Sequence, residues 1–251
     1  MVVIILRSLI KILMKISIII PCYNEEKILE RNVNVLMNFL LKNFNYNWEI
    51  VIADNGSTDK TLEVAKNLSK KYESISYVHL NEKGRGRALK KCWLERNADI
   101  LSYMDVDLST NLESFPKLIE KIDNGADIAI GSRLIKGANT KRNLKREILS
   151  RGYNILIKIL LGTKFSDAQC GFKAINKKAA IDLIPLIKDN SWFFDSELLI
   201  LAEKRGYKIA EVSVEWIEDL DSRVKIFKTT LDDIKGLLRM KFGRSKKYLK
   251  T

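Results

Sequence analysis

Residues 49–72, EIVIADNGSTDKTLEVAKNLSKKY, contain one complete strand–turn–helix unit. EIVIAD at 49–54 is a short apolar run ending on a carboxylate, the pattern of a strand buried on both faces. Gly56 permits a tight turn, and Asp59 opens the helix that follows. Ser57 or Thr58 stands where a helix N-cap is expected.

The unit recurs on either side. ISIII at 16–20, ended by Pro21, reads as a strand, and residues 25–42 follow with apolar residues at helical spacing: Ile28, Leu29, Val33, Leu36, Phe39 and Leu40. Downstream come ISYVHL at 75–80, a helix across 86–96, DILSYMD at 99–105, a helix near 112–123 and DIAIGS at 127–132. Buried strands alternating with helices specify an α/β fold with a mostly parallel sheet covered on both faces. Ligands in such sheets bind at the carboxyl ends of the strands. That rule gathers Pro21–Glu25, Asp54–Ser57 and Asp105–Ser109 on one rim. The second half is less regular: a helix over 143–161, a loop SDAQCGF at 166–172, a helix near 194–205 and a strand over 207–214. The tail, 226–242, carries Ile226, Phe227, Ile234, Leu237, Leu238 and Met240 among lysines, a pattern of interfacial helices.

Composition narrows the function. A chain of 251 residues supports one large α/β domain, and 46% apolar residues with three prolines argue against disorder. Cys22, Cys92 and Cys170 form no CxxC pair, which fits a reducing compartment and argues against a structural zinc site. The single histidine, His79, lies in an apolar run and reads as structural, so histidine-built metal centres are excluded. The net charge of +13 calls for a polyanionic partner: nucleic acid, anionic lipid or a phosphorylated substrate. Its basic residues cluster between Arg133 and Lys164, where Glu147 is the one acid, and from Arg223 to the end. Both clusters flank apolar helical stretches and lack interleaved aromatics, which favours an anionic membrane surface over nucleic acid. The opening MVVIILRSLIKILM is shorter than the ~20 residues a bilayer span needs, and Arg7 and Lys11 interrupt it. It is either a membrane-associated extension or a segment before a start at Met14, and the second reading is favoured. The resulting division is an apolar extension at 1–14, a catalytic domain at 15–225 and a basic amphipathic tail at 226–251.

YMDVDLS at 103–109 carries the strongest chemical signal. Two carboxylates one residue apart, at the mouth of a buried strand, can reach one hard cation and neutralise a diphosphate. In ADNGSTDKT, Asp54 ends a strand and is placed to accept hydrogen bonds from a base or ribose. NEKGRGRALK at 81–90 is a glycine-rich basic turn entering a helix, neither a P-loop nor a dinucleotide fingerprint.

Taken in order, IIIPCYNEE, DNGSTDKT, DVDLS and GSR at 131–133 resemble the family 2 glycosyltransferases of GT-A fold. Arg146…Ser150…Asn154, DAQCGFKA at 167–174, FDSELL at 194–199 and SRV at 222–224 look like the dolichyl-phosphate sugar synthase branch. The resemblance implies donor-nucleotide contacts at Pro21, Tyr23 and Glu25, a base-binding carboxylate at Asp54, and a Mg²⁺ or Mn²⁺ and diphosphate site at Asp105 and Asp107. Ser109 stands where relatives often place a glutamine as third metal contact, and Asn55 replaces one acid of the usual DDGS motif. Arg133, Arg146 and Arg223 match positions that engage the acceptor phosphate or the donor diphosphate. Arg146, Ser150 and Asn154, spaced i, i+4, i+8, share one helix face fit to line a phosphate slot, with Ile148, Ile155 and Ile159 elsewhere on the helix. The implied activity is inverting transfer of one hexose from UDP-glucose or GDP-mannose to a polyprenyl or dolichyl phosphate, by an enzyme peripheral to the cytoplasmic membrane face or in the cytoplasm. The rival is a hydroxyl acceptor activated by Asp195 or Glu197 as general base.

Deleting residues 1–13 is expected to leave a folded chain, because the first core strand starts after Met14. A cooperative thermal transition by circular dichroism checks this, and aggregation of the shortened chain would place the segment in the fold.

Overall fold

The computed structural model of the protein describes residues 13–218 and 226–243, without the side chains of 226–228. The apolar opening up to residue 12 and the SRV motif with Arg223 therefore lie outside the described residues, as do the side chains of Ile226 and Phe227.

Four strands come first in the sheet: β1 (Lys15–Cys22), β2 (Asn47–Asn55), β3 (Ile75–Leu80) and β4 (Ile100–Met104). They alternate with helices α1 (Leu29–Asn43), α2 (Thr61–Lys71) and α3 (Arg85–Glu95). Helix α4 (Ser114–Asp123) leads to β5 (Ile128–Ser132), a short strand β6 (Asn139–Lys141) and the long helix α5 (Leu144–Leu161). Then come β7 (Phe172–Asn176), α6 (Lys177–Leu183), a 3₁₀ turn, α7 (Phe194–Lys204), β8 (Ile209–Ser213), β9 (Glu215–Ile217) and α8 (Ile226–Phe242). Seven strands form one sheet in the order β3-β2-β1-β4-β7-β5-β8, and β6 pairs with β9 separately. β1 runs parallel to both β2 and β4, and β5 parallel to β8. β7 alone is antiparallel to its neighbours β4 and β5.

The alternation of side chains divides the core in two. Ile18, Ile20, Ile50 and Ile52 face one side, against Leu36, Leu40, Phe115 and Leu118. Ile19, Val51, Leu101 and Tyr103 face the other, against Trp93, Leu198 and Leu199. Each such side chain, fully buried, contributes about 1.5–3 kcal/mol, which is why the central strands are mostly apolar on both faces. Among the described residues no helix is long and apolar enough to cross a membrane.

Three sequence expectations change. Residues 172–176 form strand β7, where a loop ending at Phe172 was expected. The strand is short and carries a fully buried lysine, Lys173, which masks its apolar pattern. Neither Ser57 nor Thr58 caps α2: Asp59 Oδ1 accepts from the Thr61 amide at 3.0 Å, while the Ser57 hydroxyl accepts from Asn24 N and the Thr58 amide donates to Asn24 Oδ1. In α8, Leu237 and Met240 are core residues, and the exposed apolar stripe is Leu231, Ile234, Leu238 and Phe242.

The glycine-rich turn joins the two halves. A Cβ on Gly86 would stand 2.7 Å from Phe194 Cβ, and one on Gly84 2.6 Å from the Asn190 carbonyl oxygen. The Arg87 amide donates to that same carbonyl at 3.1 Å. The glycines thus let the start of α3 pack against the segment that opens α7. Gly86→Ala is expected to destabilise the protein by about 1–3 kcal/mol, the usual cost of overpacking, read as a lower urea midpoint with unchanged slope.

Candidate active site

At the carboxyl end of β4 the chain turns sharply through DVDLS. Leu108 adopts φ 54°, its amide donates to the Asp105 carbonyl at 3.2 Å, and the Ser109 amide donates to Asp107 Oδ1 at 2.9 Å. Asp105, Asp107 and Ser109 line one small crevice together. Behind it the Asp105 amide donates to the Gly171 carbonyl, and a Cβ at Gly171 would lie 1.8 Å from Asp105 Oδ2. Only glycine leaves space there for the carboxylate.

The first residue of α3, Arg85, reaches Asp105 at the edge of this crevice. Its guanidinium donates to Asp105 Oδ1 at 2.7 Å and to Asp195 Oδ2 at 2.5 Å. It lies 4.8 Å from the Tyr103 ring and 5.2 Å from the Trp192 ring. Burial works against its charge, but Asp105, Tyr103 and Asp195 outweigh that and hold its pKa above the ordinary value. Asp195, in the first turn of α7, also pairs with Lys173 Nζ at 2.9 Å and accepts from the Tyr103 hydroxyl. Burial alone would raise the Asp195 pKa, yet Lys173 and Arg85 hold it below the ordinary carboxylate range. Glu197 is equally enclosed: Oε2 accepts from the Asp189 amide at 2.9 Å and from Arg239 at 2.6 Å.

Arg133 follows β5 and forms a two-pronged pair with fully buried Asp167, at 2.8 and 2.9 Å. Desolvation would raise the Asp167 pKa, but the Arg133 charge and its hydrogen bonds push it down to about 2. The guanidinium also lies 5.4 Å from the Trp216 ring. Residues 109–110 and β9 are stitched together: Thr110 bridges Trp216, and the Ile217 amide donates to the Ser109 carbonyl at 2.9 Å. The next residue, Glu218, pairs with Arg146 at 2.7 Å. The carboxylate turn and the start of α5 are therefore linked through one short strand.

On α5 the three residues at i, i+4 spacing differ in role. Arg146 is half-buried on Glu218. The Ser150 hydroxyl is buried and has no hydrogen-bond partner among the described residues. Asn154 is a support: its Oδ1 accepts from the Ala168 amide at 2.9 Å, fixing the 166–171 loop. Ile148, Ile155 and Ile159 are exposed rather than in the core.

On the opposite flank, Asp54 is fully buried and stands 2.6 Å from His79 Nδ1, while its Oδ1 accepts from the Ser57 amide. His79 is thus a partner of Asp54, consistent with a structural role. Pro21 is buried in β1, the Tyr23 ring carries Lys83 Nζ at 3.5 Å, and the Glu25 amide donates to Thr61 Oγ1 at 2.7 Å. Asn55 bridges the first loops, donating to the Cys22 carbonyl at 2.7 Å and accepting from the Gly84 amide. Sequence reasoning missed Arg85, Tyr103 and Lys173. The available signals were an arginine between two glycines and a lysine inside an otherwise apolar strand.

Residues 17–184 match the sequence model of glycosyl transferase family 2, which is two thirds of the chain. The chain belongs to the family 2 glycosyltransferases. It is 33% identical over 231 residues to glycosyltransferase AglD of Haloferax volcanii, covering 90% of this chain but 36% of that protein. It is 34% identical over 223 residues to dolichyl-phosphate beta-glucosyltransferase ALG5D of Trichomonas vaginalis, covering 84% of this chain and 68% of that protein. The chain thus spans about a third of the first relative and about two thirds of the second. The fold is that of glucosyl-3-phosphoglycerate synthase from Mycobacterium tuberculosis, solved with Mn²⁺, UDP-glucose and phosphoglyceric acid. That match has a TM-score of 0.70 and 17% identity, covering 93% of this chain and 81% of that one. The GT-A fold expected from the motifs is the fold observed.

The Arg133–Asp167 pair gives this glycosyltransferase an acid-sensitive joint. Asp167 has a folded-state pKa below its unfolded value, so its stabilisation is full above the ordinary pKa of 3.8 and is lost as pH falls through about 2. The stability gap between wild type and Asp167→Asn is expected to be largest near neutrality and to shrink over that window, measured by urea unfolding at stepped pH.

Proposed function

We propose that this glycosyltransferase moves one hexose from a nucleoside-diphosphate sugar to a polyprenyl phosphate of the dolichyl type, with inversion, at an anionic membrane surface. The observation that carries the reading is the state of Asp195. A general base needs an accessible carboxylate near its operating pKa, whereas Asp195 is buried, accepts from Arg85, Lys173 and Tyr103, and has a depressed pKa. Glu197 is buried behind it on Arg239. An acceptor that is already anionic needs no such base. The name of the Trichomonas relative, a dolichyl-phosphate beta-glucosyltransferase, supports the same acceptor.

In the reaction an acceptor phosphate oxygen attacks the anomeric carbon. The bond from that carbon to the diphosphate oxygen breaks, and its electron pair leaves with the nucleoside diphosphate. One in-line displacement inverts the centre. Pro21, Tyr23, Glu25 and Asp54 lie on the rim that would hold the nucleotide, with Asp54 oriented by His79. Asp105 and Asp107, with Ser109 beside them, form the hard-oxygen set suited to a cation whose other ligands are phosphates and water. Two carboxylates and a hydroxyl fit that group, and the related synthase was solved with Mn²⁺. When bound there, Mg²⁺ or Mn²⁺ supplies the charge that stabilises the departing diphosphate. Arg85, donating to Asp105 and Asp195, holds a fixed positive charge at the same edge. On the acceptor side, Arg146 and the Ser150 hydroxyl, unpartnered among the described residues, would face a lipid phosphate, with Arg133 as a further cation and Arg223 assigned by its motif alone.

The membrane reading rests on two adjacent helices. α5 exposes Ile148, Ile155 and Ile159, and α8 exposes Leu231, Ile234, Leu238 and Phe242. Lys145, Arg151 and Lys158 on α5 and Lys235 and Lys241 on α8 are exposed beside them. Apolar stripes edged by cations suit an anionic bilayer.

The test uses the full chain with UDP-glucose or GDP-mannose and either a short polyprenyl phosphate or the matching polyprenol. Transfer to the phosphate with Mg²⁺ or Mn²⁺, none to the alcohol and none in EDTA is expected. Transfer to the alcohol would restore the hydroxyl-acceptor reading. Asp107→Ala is expected to abolish transfer with the fold intact. Arg146→Ala is expected to cost roughly 10- to 150-fold in kcat/KM for the phosphate acceptor, the scale of one charge-assisted contact, with nucleotide affinity little changed.

A further inference from the structure

Helix α8 has two faces with different tasks. Its exposed face carries the apolar stripe described above. Its inner face, Asp233, Gly236, Leu237, Arg239 and Met240, lies against the elements that build the active site. Asp233 is buried, and its Oδ2 accepts from Gln169 Nε2 at 2.7 Å. A Cβ on Gly236 would lie 2.4 Å from the Phe193 ring, immediately before α7. Arg239 lies 5.7 Å from that ring and donates to Glu197.

Gln169 occupies a telling place. Two residues before it, Asp167 holds Arg133. Two residues after it, Gly171 accepts the Asp105 amide and leaves room for the Asp105 carboxylate. The loop between them is anchored by Asn154 at Ala168 and by Asp233 at Gln169. Both anchors come from the helices with exposed apolar faces. The other Asp233 oxygen is buried without a partner among the described residues. Leaving that oxygen unpaired costs free energy, so the Gln169–Asp233 contact is less firmly held than a fully matched one.

We propose that the Gln169–Asp233 hydrogen bond is a positioning contact through which α8, when seated on a lipid surface, sets the loop that orients Arg133 and backs Asp105. Gln169 and Asp233 are positioning residues. They act through the loop and touch neither substrate. The proposal rests on the membrane-surface reading above, and its test is separable from the transferase assay.

The experiment is hydrogen exchange of the full chain with and without phosphatidylcholine–phosphatidylglycerol vesicles. In the wild type, vesicles are expected to slow exchange of the amides in 166–171, by roughly tenfold if the loop closes against one further hydrogen bond. In Gln169→Ala and in Asp233→Ala the vesicles are expected to protect α8 but leave 166–171 unchanged. The double variant should match either single one. Asp233→Asn keeps a carbonyl acceptor and is expected to restore the coupling, which a merely structural loss would not show. Slowing of the loop in Asp233→Ala equal to the wild type would overturn the proposal, as would protection of α8 with no change of the loop in the wild type. If vesicles do not bind at all, the membrane reading fails and the coupling with it. Coupled protection without sugar transfer to polyprenyl phosphate would sink the acceptor reading and leave the coupling standing.

Discussion

The guanidinium of Arg85 is the joint on which the site depends. It stands between Asp105, at the end of a central strand, and Asp195, on a helix from the second half of the chain. Lys173 and the Tyr103 hydroxyl complete the enclosure of Asp195. Taking these charges out of water costs several kcal/mol per ion, and such clusters hold only when nearly every hydrogen-bonding group is matched. Here they are matched across two strands and two helices that sequence separation would otherwise leave independent. Removing one member would strand another buried charge, so the cluster fixes the relative position of the halves more than it adds stability.

That constraint explains several local choices. Gly84 and Gly86 bring the start of α3 close enough for Arg85 to reach both carboxylates. Gly171 leaves the volume that the Asp105 side chain fills. The antiparallel strand β7 delivers Lys173 to the buried underside of the same carboxylate cluster while its flanking residues Phe172 and Ala174 stay in the apolar layer. A parallel strand at that place would need a crossover connection; the antiparallel one allows the 166–171 loop to run directly from α5 into the sheet.

Local pattern made the first half legible and left the second half partly hidden. Runs such as ISIII and EIVIAD are mostly apolar because both faces of the strand are covered, and that needs no partner information to read. The carboxylates at strand ends were equally plain, since the chain direction of a parallel sheet fixes which end they occupy. Strand β7 failed the same test because its second residue, Lys173, is buried against Asp195 of a later helix. Arg85 was read only as part of a glycine-rich basic turn for the same reason: its two acceptors lie in distant segments. The α8 pattern was read as one interfacial stripe, although Leu237 and Met240 are buried; period alone cannot assign two apolar stripes to solvent and to core. Asn154 shares its helix face with Arg146 as spacing demanded, but its bond to the Ala168 amide depends on a loop that no periodicity places.

Charge balance across the site bears on where an anionic acceptor would approach. Asp105, Asp107 and Asp195 outnumber Arg85 and Lys173 by one charge, and Arg133 and Arg146 are each matched by a carboxylate, Asp167 and Glu218. A divalent cation and a donor diphosphate would roughly cancel each other, leaving the centre slightly negative. An acceptor phosphate entering such a centre is repelled unless cations at the periphery offset it. The inner arginines are already committed, so that role falls to the lysines and arginines that border α5 and to those of the C-terminal helix. Among the described residues, the exposed Lys145, Arg151, Lys158, Lys235 and Lys241 border these helices, and on the proposed reading they would meet both the acceptor phosphate and anionic headgroups. On this reading a lipid phosphate is drawn first to the surface the helices share, Arg146 meets it by exchanging its pair with Glu218 for the phosphate, and the field that docks the protein also steers its substrate.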